Sequence, residues 1–458
     1  MKSFTTIFTC IICLLASAGI AKSDGLNNVS DTSGILQKRL EWFQDQKFGV
    51  FTSLGIRQLW GTSPWILNVD PSGTDPMGRD SRRPNWDFDM GVLRKGYWNL
   101  IKGFYPRHFD AEEWSRIIKD AGAKYAAFYC KHHDGFSMFD TQLSDFKITS
   151  PECPYSDHPN PDVTARLCDA FRQAGLGVTL IFSYSDWHSP YYWSPNAPVL
   201  NRHYNYDINK EPERWQKFVD FLHGQIRELM TGYGKIDILW LDGGWDKKDM
   251  QVGKMVEMAR SHQLELIVVS RGGNVHEDFK TPENRVPPKP LGGPWETFWS
   301  MGDDTTQELI HLLVDIVCKG GNLLLSAALN SDGTITPSCV ERLKQMGEWL
   351  KANGEAIYGT RMYSQYRDAN ICYTQKGNYV YAIYLDEARD SVEQSTLPAQ
   401  VTIKHIRPIP GSKIFLLGVE EPLKWKASGG GITITVPGAV MKSPPARYAY
   451  SFRVQVSR

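Results

Sequence analysis

The chain has 458 residues, which is too long for one ordinary domain, so we expect two domains around a large core. Its 51 lysines and arginines balance its 51 aspartates and glutamates, which excludes a strongly basic nucleic-acid-binding surface and favours a neutral partner. Fifteen tryptophans within 12% aromatic residues favour a carbohydrate ligand, because flat aromatic faces stack on pyranose rings.

The N-terminal segment has the pattern of a secretory signal peptide. Lys2 precedes an apolar run from Phe4 to Leu15, and small residues follow as far as Ala21. We expect residues 1–21 to be removed and the mature protein to be exported to the periplasm or the extracellular space, or to the lysosome in a eukaryote. The apolar run is too short to cross a bilayer, so no membrane span is predicted.

The cysteines beyond this segment are sparse and lack the spacing of a metal site. They are Cys130, Cys153, Cys168, Cys318, Cys339 and Cys372. Export permits disulfides, but buried thiols are favoured. No metal and no cofactor are predicted.

From residue 34 onward, short apolar runs alternate with amphipathic helical stretches, which is typical of βαβ units around a parallel sheet. The predicted strands are Phe48–Thr52, Tyr125–Tyr129, Gly177–Phe182, Ile236–Leu241, Leu266–Ser270 and Asn322–Ser326. The predicted helices between them include Ala111–Ala121, Pro161–Ala174, Glu211–Gly232 and Lys248–Gln263. This order predicts a (β/α)8-like barrel over residues 34–360, with the catalytic groups at the carboxyl ends of its strands.

Two further regions differ from this pattern. The insertion between Asn68 and Gly103 is rich in Asp, Arg and Gly, and we predict a long loop that could act as a lid. After a helical stretch from Val340 to Asn353, short alternating segments separated by Gly, Pro and Ser predict an antiparallel β-sandwich over residues 361–458. This second domain is expected to pack on the barrel and to carry no catalytic group.

Two consecutive histidines, His132 and His133, follow the predicted strand that ends at Tyr129. Neighbouring side chains of an extended chain point to opposite sides, so a metal site would need further ligands that the sequence does not offer. Neutral imidazoles that bind sugar hydroxyls fit this position. The alternative is that both are hydrogen-bonded residues of the barrel rim.

The apolar strand Ile236–Leu241 delivers Asp242 at its carboxyl end, and two glycines then allow a tight turn. Trp240 and Trp245 flank the carboxylate. This pattern favours a catalytic aspartate in the mouth of a barrel, although an aspartate before two glycines is often only a turn residue. Arg271 ends another strand, where it could bind sugar oxygens or pair with a carboxylate at the rim.

Glycoside hydrolysis requires a second carboxyl group. Glu296 follows a Gly-Pro loop, and its neighbour Trp295 could provide the apolar surroundings that raise a glutamate pKa. The competing candidates for this role are Glu283, Asp303 and Asp304. We predict that Asp242 and Glu296 share one pocket with His132, His133 and Arg271.

The ordered set of motifs resembles the alpha-L-fucosidases of glycoside hydrolase family 29. The motifs are KFGVF (47–51), KHHDGF (131–136), FSYSDW (182–187), LWLDGGW (239–245), SRG (270–272), DFKTPE (278–283), PWET (294–297), KGGNLLL (319–325) and GEAIYGT (354–360). The resemblance implies a retaining alpha-L-fucosidase that acts on fucosylated oligosaccharides or glycans. It implies Asp242 as the nucleophile and Glu296 as the acid/base. It also implies that His132, His133, Trp240 and Arg271 bind the sugar, and we expect Phe182 and Trp295 to contact the substrate as well.

The sequence departs from this family at several pocket positions. Ser53 replaces a sugar-binding histidine, Phe182 stands where a pocket tyrosine is typical, and Ser326 replaces an asparagine. Each lost polar contact would cost about 1 to 3 kcal/mol. Two alternatives therefore stay open, namely a retaining glycosidase of shifted sugar specificity and an inactive sugar-binding relative. The sequence leaves the oligomeric state undetermined.

Overall fold

The computed structural model describes residues 34–68, 89–199, 201–243, 245–246, 248–271, 277–387 and 397–457. The predicted signal peptide and most of the predicted lid lie outside these residues. The described end of the insertion is helical, because Met90–Trp98 forms an α-helix and Asn99–Gly103 a 3-10 helix. Asp89 caps the α-helix by accepting hydrogen bonds from the backbone of its first turn. The prediction of a continuous loop is therefore wrong for this part.

The N-terminal part contains a seven-stranded parallel sheet whose neighbours run in the order β5-β4-β3-β2-β1-β7-β6. Its strands are β1 (Phe48–Thr52), β2 (Tyr125–Lys131), β3 (Gly177–Ser183), β4 (Ile238–Asp242), β5 (Ile267–Ser270), β6 (Glu296–Ser300) and β7 (Asn322–Ser326). The sequence predicted six of these strands. It missed β6, because the Gly-Pro stretch before Trp295 indicates a loop that would continue through Glu296.

A short extended segment occupies the place of an eighth strand between β5 and β6. The backbone N–H of Asp278 donates to Val268 of β5, and the N–H of Phe298 in β6 donates to Pro282. Parallel bridges pair Lys280 with Trp295 and Glu283 with Phe298. The sheet is therefore curled and closed by this segment, and the predicted (β/α)8-like architecture is confirmed.

The helices of the barrel part pack around this curled sheet and against its base. They are α1 (Ile35–Gln46), α2 (Met90–Trp98), α3 (Ala111–Asp120), α4 (Val163–Gln173), α5 (Pro212–Gly232), α6 (Val252–His262), α7 (Thr306–Cys318) and α8 (Pro337–Asn353). Phe43 of α1 is fully buried among the residues of the barrel interior, and its carbonyl accepts a hydrogen bond from Asn322 at the start of β7. Since strand starts lie at that end, α1 plugs the end opposite to the predicted catalytic mouth.

Two antiparallel sheets follow the barrel. The larger has the order β12-β15-β10-β9-β8 and the smaller the order β11-β14-β13. Their strands are β8 (Arg361–Asp368), β9 (Ile371–Lys376), β10 (Tyr379–Leu385), β11 (Gln400–Lys404), β12 (Phe415–Leu416), β13 (Lys424–Ser428), β14 (Gly431–Thr435) and β15 (Ala449–Gln455), with a short helix α9 (Gly438–Lys442) before β15. The two sheets share one apolar core, which confirms the predicted antiparallel fold of this region.

The antiparallel region packs on α7 and α8. Trp349 of α8 donates its indole N–H to the carbonyl of Ala449, and His311 of α7 hydrogen-bonds the carbonyl of Tyr448. No helix within the described residues is long and apolar enough to cross a membrane.

Candidate active site

Asp242 is the last residue of β4, and its side chain lies inside the mouth of the curled sheet. Only 4% of the residue is exposed to solvent. The chain turns at Gly243, whose φ of 89° is strained for any residue with a side chain. A Cβ atom at Gly243 would lie 2.7 Å from Cε1 of His133, so glycine is also required by space.

Five donors surround the Asp242 carboxylate. Oδ2 accepts from the Tyr129 hydroxyl at 3.0 Å and from the Ser183 hydroxyl at 3.5 Å, and it lies 3.3 Å from Nε2 of His133. Oδ1 accepts from the backbone N–H of Gly243 at 2.9 Å and from Nη1 of Arg271 at 3.1 Å. A carboxylate with this many donors is held in one orientation and in its ionised form.

Burial alone would raise the pKa of Asp242. The hydrogen bond and charge of His133, followed by the charge of Arg271, outweigh that effect and hold the pKa well below its ordinary value. An ionised, buried and oriented carboxylate is what a covalent nucleophile requires.

The two predicted histidines lie next to this carboxylate. His133 is 1% exposed, its Nε2 faces Asp242, and its Nδ1 lies 2.6 Å from the Ser185 hydroxyl. His132 stacks at 4.7 Å on the ring of Tyr129, and its Nδ1 accepts the backbone N–H of His133. Burial, then the neighbouring His133, lower the pKa of His132 well below its ordinary value, so its imidazole is neutral near pH 7.

Arg271 joins Asp242 to a second carboxylate. While Nη1 donates to Asp242, Nη2 forms an ion pair with Oε2 of Glu283. Glu283 lies on the segment that closes the barrel, next to Phe298 in the middle of β6, and its side chain is 34% exposed. The two carboxylates therefore bind the two Nη atoms of one guanidinium.

Glu296 does not join this group, which corrects the prediction of one shared pocket. It is the first residue of β6, whereas Asp242 is the last residue of β4. Its Oε2 accepts a 2.5 Å hydrogen bond from the hydroxyl of Tyr125, itself the first residue of β2. Glu296 is 1% exposed and lies in the layer of strand starts, whereas Asp242 lies in the layer of strand ends.

Three predicted pocket aromatics also need revision. Phe182 is fully buried on the outer side of β3, with the Lys131 ammonium 4.3 Å from its ring, because Ile181 and Ser183 take the inner side. Trp295 is buried outside the barrel interior and donates to the carbonyl of Lys319. Both side chains therefore lie outside the barrel interior.

Trp240 does face the barrel interior. It precedes Asp242 by two positions on β4, so its ring lies one layer deeper on the same side. The Arg271 guanidinium is 5.4 Å from the ring centroid, and the residue is 1% exposed. Trp240 therefore lies beneath Arg271 and does not form an exposed side of the pocket.

The other competing acids lie elsewhere. Asp303 and Asp304 line a cavity of about 480 Å³ together with Arg342 and Tyr448. None of these residues is among the described contacts of Asp242. Of the candidates considered from the sequence, Glu283 is the carboxylate that shares a partner with Asp242.

Sequence reasoning missed three residues of the site. Tyr129 and Ser183 donate to Asp242, and the indole of Trp65 packs edge-on at 5.5 Å from the ring of His133. The strand prediction could have shown that both lie near the carboxyl ends of strands, but the face on which each side chain lies follows only from the register of the sheet. Trp65 lies before an insertion without a recognisable pattern, and no sequence signal places it.

Residues 18–355 match the family model described as alpha-L-fucosidase, and residues 365–455 match the model described as alpha-L-fucosidase C-terminal domain. The chain is 27% identical over 443 residues to the tissue alpha-L-fucosidase of Macaca fascicularis, covering 90% of this chain and 88% of that protein.

Solved structures show the same similarity. The alpha-fucosidase of Thermotoga maritima in complex with fucose is 26% identical, with a TM-score of 0.71 over 91% of this chain and 98% of that one. Alpha-L-fucosidase isoenzyme 1 from Paenibacillus thiaminolyticus shares the fold at 24% identity, with a TM-score of 0.74 over 93% of this chain and 100% of that one.

Proposed function

This chain belongs to the alpha-L-fucosidase family, the glycoside hydrolases of family 29, and from that premise we propose that it releases terminal alpha-L-fucosyl residues from oligosaccharides or glycans by a retaining double displacement. The observation that carries the mechanistic proposal is the environment of Asp242. Five donors and a lowered pKa keep this carboxylate ionised at the mouth of the barrel.

In the first step, an Asp242 oxygen attacks the anomeric carbon while the glycosidic oxygen leaves. A covalent fucosyl ester forms, and the charge on the carboxylate disappears as the bond is made. Arg271 and the donors Tyr129 and His133 orient the attacking group. They also stabilise the carboxylate again when water releases the sugar in the second step.

We propose Glu283 in place of Glu296 as the acid/base. Glu283 is partly exposed and lies on the other end of the Arg271 guanidinium from Asp242, so it can reach a leaving-group oxygen and later a water molecule. As acid it gives its proton to the departing oxygen, and as base it removes a proton from the attacking water. His132 and His133 are proposed to bind sugar hydroxyls.

One feature favours a shifted sugar preference as a second candidate. The Ser53 hydroxyl, which stands where the family has a sugar-binding histidine, is buried without a hydrogen-bond partner in the described part of the chain. The imidazole contact that the family makes from this position is therefore lost. The intact surroundings of Asp242 speak against an inactive binding protein.

The test is hydrolysis of an aryl alpha-L-fucoside beside aryl glycosides of other sugars, with proton NMR of the first-formed sugar. The proposal predicts cleavage of the fucoside and release of the alpha anomer before mutarotation. Cleavage of another glycoside alone would favour the shifted-specificity candidate. First release of the beta anomer would contradict the double displacement.

We also propose that the protein is exported, on the basis of its N-terminal 21 residues.

A further inference from the structure

Two cysteines face each other where the barrel meets the antiparallel region. Cys318 is the last residue of α7, and Cys372 lies in β9. Both are fully buried, and their Sγ atoms lie within 4.8 Å of each other and of an Asp315 carboxylate oxygen. The Cys318 thiol donates a hydrogen bond to the backbone carbonyl of Asp315 at 3.2 Å.

The surroundings of this pair disfavour a metal ion. Asp315 would be the third ligand, but Lys319 and Arg367 each form an ion pair with it at 2.8 Å. A divalent cation would have to displace two fixed positive charges and would then be repelled by them. The site is therefore a pair of adjacent thiols rather than a metal-ligand set.

We propose that Cys318 and Cys372 form a disulfide bond that fastens the antiparallel region to the barrel in an oxidising environment. The bond requires the two Sγ atoms to approach from their present separation, which is within 4.8 Å, to about 2.05 Å. It would close a loop on the order of 50 residues that runs from the barrel through β8, and loops of this length restrict the unfolded chain substantially.

A neighbouring cavity lies beside the residues that flank the pair, but neither thiol lines it. It has a volume of about 350 Å³ and is lined by Asp315 and Arg367, the residues that flank the thiols, together with residues such as His311 and Leu385. The adjacent Cys372 thiol and burial raise the pKa of Cys318, so the fully folded dithiol reacts slowly. The bond therefore forms most readily while α7 and β9 are still closing on each other.

The reaction is thiol–disulfide exchange with a small disulfide such as oxidised glutathione. The Sγ–Sγ bond forms, the two cysteines lose two protons and two electrons, and the disulfide of the oxidant is cleaved to two thiols that take them up.

The test starts from the reduced full chain, equilibrated with oxidised and reduced glutathione in mild denaturant so that the buried pair opens transiently. Free thiols are then alkylated under denaturing conditions, and peptides are mapped by mass spectrometry with and without reduction. We expect one cross-linked peptide that joins Cys318 to Cys372. Separate alkylation of both residues would overturn the proposal.

Thermal melting provides the second measurement. The oxidised chain should melt roughly 3 to 6 °C above the reduced chain. Cys318→Ser should abolish this difference and leave hydrolytic activity unchanged, because neither thiol contacts Asp242. Cys153→Ser is the matched control, since that buried thiol donates to the carbonyl of Phe104 and should leave the difference intact. A bond that forms without changing the melting temperature would contradict the fastening role.

Discussion

At the scale of single residues, the barrel holds two buried carboxyl groups in opposite charge states. Asp242 has five donors and a pKa well below its ordinary value. Burial raises the pKa of Glu296 to about 7, and the hydrogen bond from Tyr125 only partly opposes this effect. The first group can attack an electrophile, and the second stays protonated inside the protein over most of the acidic range.

The partial exposure of Glu283 and the burial of Glu296 predict which glutamate controls the departure of the leaving group. Glu283→Ala should reduce kcat/KM by roughly 10²- to 10⁴-fold for substrates with a poor leaving group, because such substrates need a proton donor. For activated aryl fucosides with acidic phenols, kcat/KM should fall far less. The measurement is kcat/KM across aryl fucosides of graded phenol pKa.

Glu296→Ala is the comparison variant for this series. Since Glu296 lies away from the mouth, its replacement should change kcat/KM by a similar factor for all substrates. Any such change would come from the stability of the protein or the positioning of the active-site groups. A steeper dependence on leaving-group pKa for Glu296→Ala than for Glu283→Ala would reverse the assignment.

Glu296 should also make stability depend on pH. Its pKa is about 7 in the folded protein against an ordinary value of 4.5, so the folded chain holds this proton more tightly than the unfolded chain. The resulting stabilisation is fully present below pH 4.5 and is lost as the pH rises through 7. The loss corresponds to roughly 3 kcal/mol.

The measurement is the free energy of unfolding of the native protein and of Glu296→Gln between pH 4 and 8. As the pH rises, the free energy of unfolding of the native protein should fall relative to that of Glu296→Gln. The reason is that Gln keeps an acceptor for Tyr125 but cannot become charged. A pH-independent difference would show that Glu296 does not titrate in this range.

At this scale, the sequence identified four residues that the structure brings together, namely Asp242, His132, His133 and Arg271. Each follows a recognisable strand, so its position at a strand end is implied by local pattern. Glu296 was misplaced because its neighbours indicate a loop, whereas it begins β6. Because Glu296 is the first residue of β6 and does not lie in a loop after a strand, its side chain lies at the start of the strands and not at their carboxyl ends.

At the scale of elements, the turn after β4 connects sequence directly to geometry. Gly243 combines a positive φ with close contact to His133, so Gly243→Ala must shift the turn or the imidazole. A displacement on the order of 1 Å near the reacting groups can cost about 10²-fold in rate. We expect this loss in kcat for an aryl fucoside.

The matched control is Gly232→Ala in the last turn of α5, where a new Cβ would meet nothing within 4 Å. This variant should keep its full rate. Equal rates for Gly243→Ala and the native enzyme would show that the turn tolerates a side chain and that His133 need not stay in place.

The alternation of side chains along β3 explains why Phe182 and Ser183 lie on opposite sides of the sheet. All positions of β3 except the first are buried, so burial alone cannot tell Phe182 from Ser183. Only the register of β3 against β4, which pairs Ser183 with Asp242, shows that the inner side belongs to Ser183. Such register is a property of the sheet and is not visible in a single strand.

At the scale of the whole molecule, the order of strands and helices was enough to predict a barrel followed by antiparallel sheets. The closing segment from Asp278 to Asn284 was not predicted. Its backbone forms hydrogen bonds with β5 and β6, but its sequence lacks the apolar run that marks a strand. That segment also carries Glu283. The barrel is therefore closed by the same stretch of chain that completes the proposed catalytic pair.

The most direct test of Asp242 as the nucleophile is the reaction of Asp242→Gly with an activated aryl fucoside in the presence of azide. We expect almost complete loss of hydrolysis without azide, because the nucleophile is gone. With azide, which can attack from the vacated space, phenol release should recover and the product should be a fucosyl azide of inverted, beta configuration. Ordinary hydrolysis by Asp242→Gly without azide would contradict this assignment.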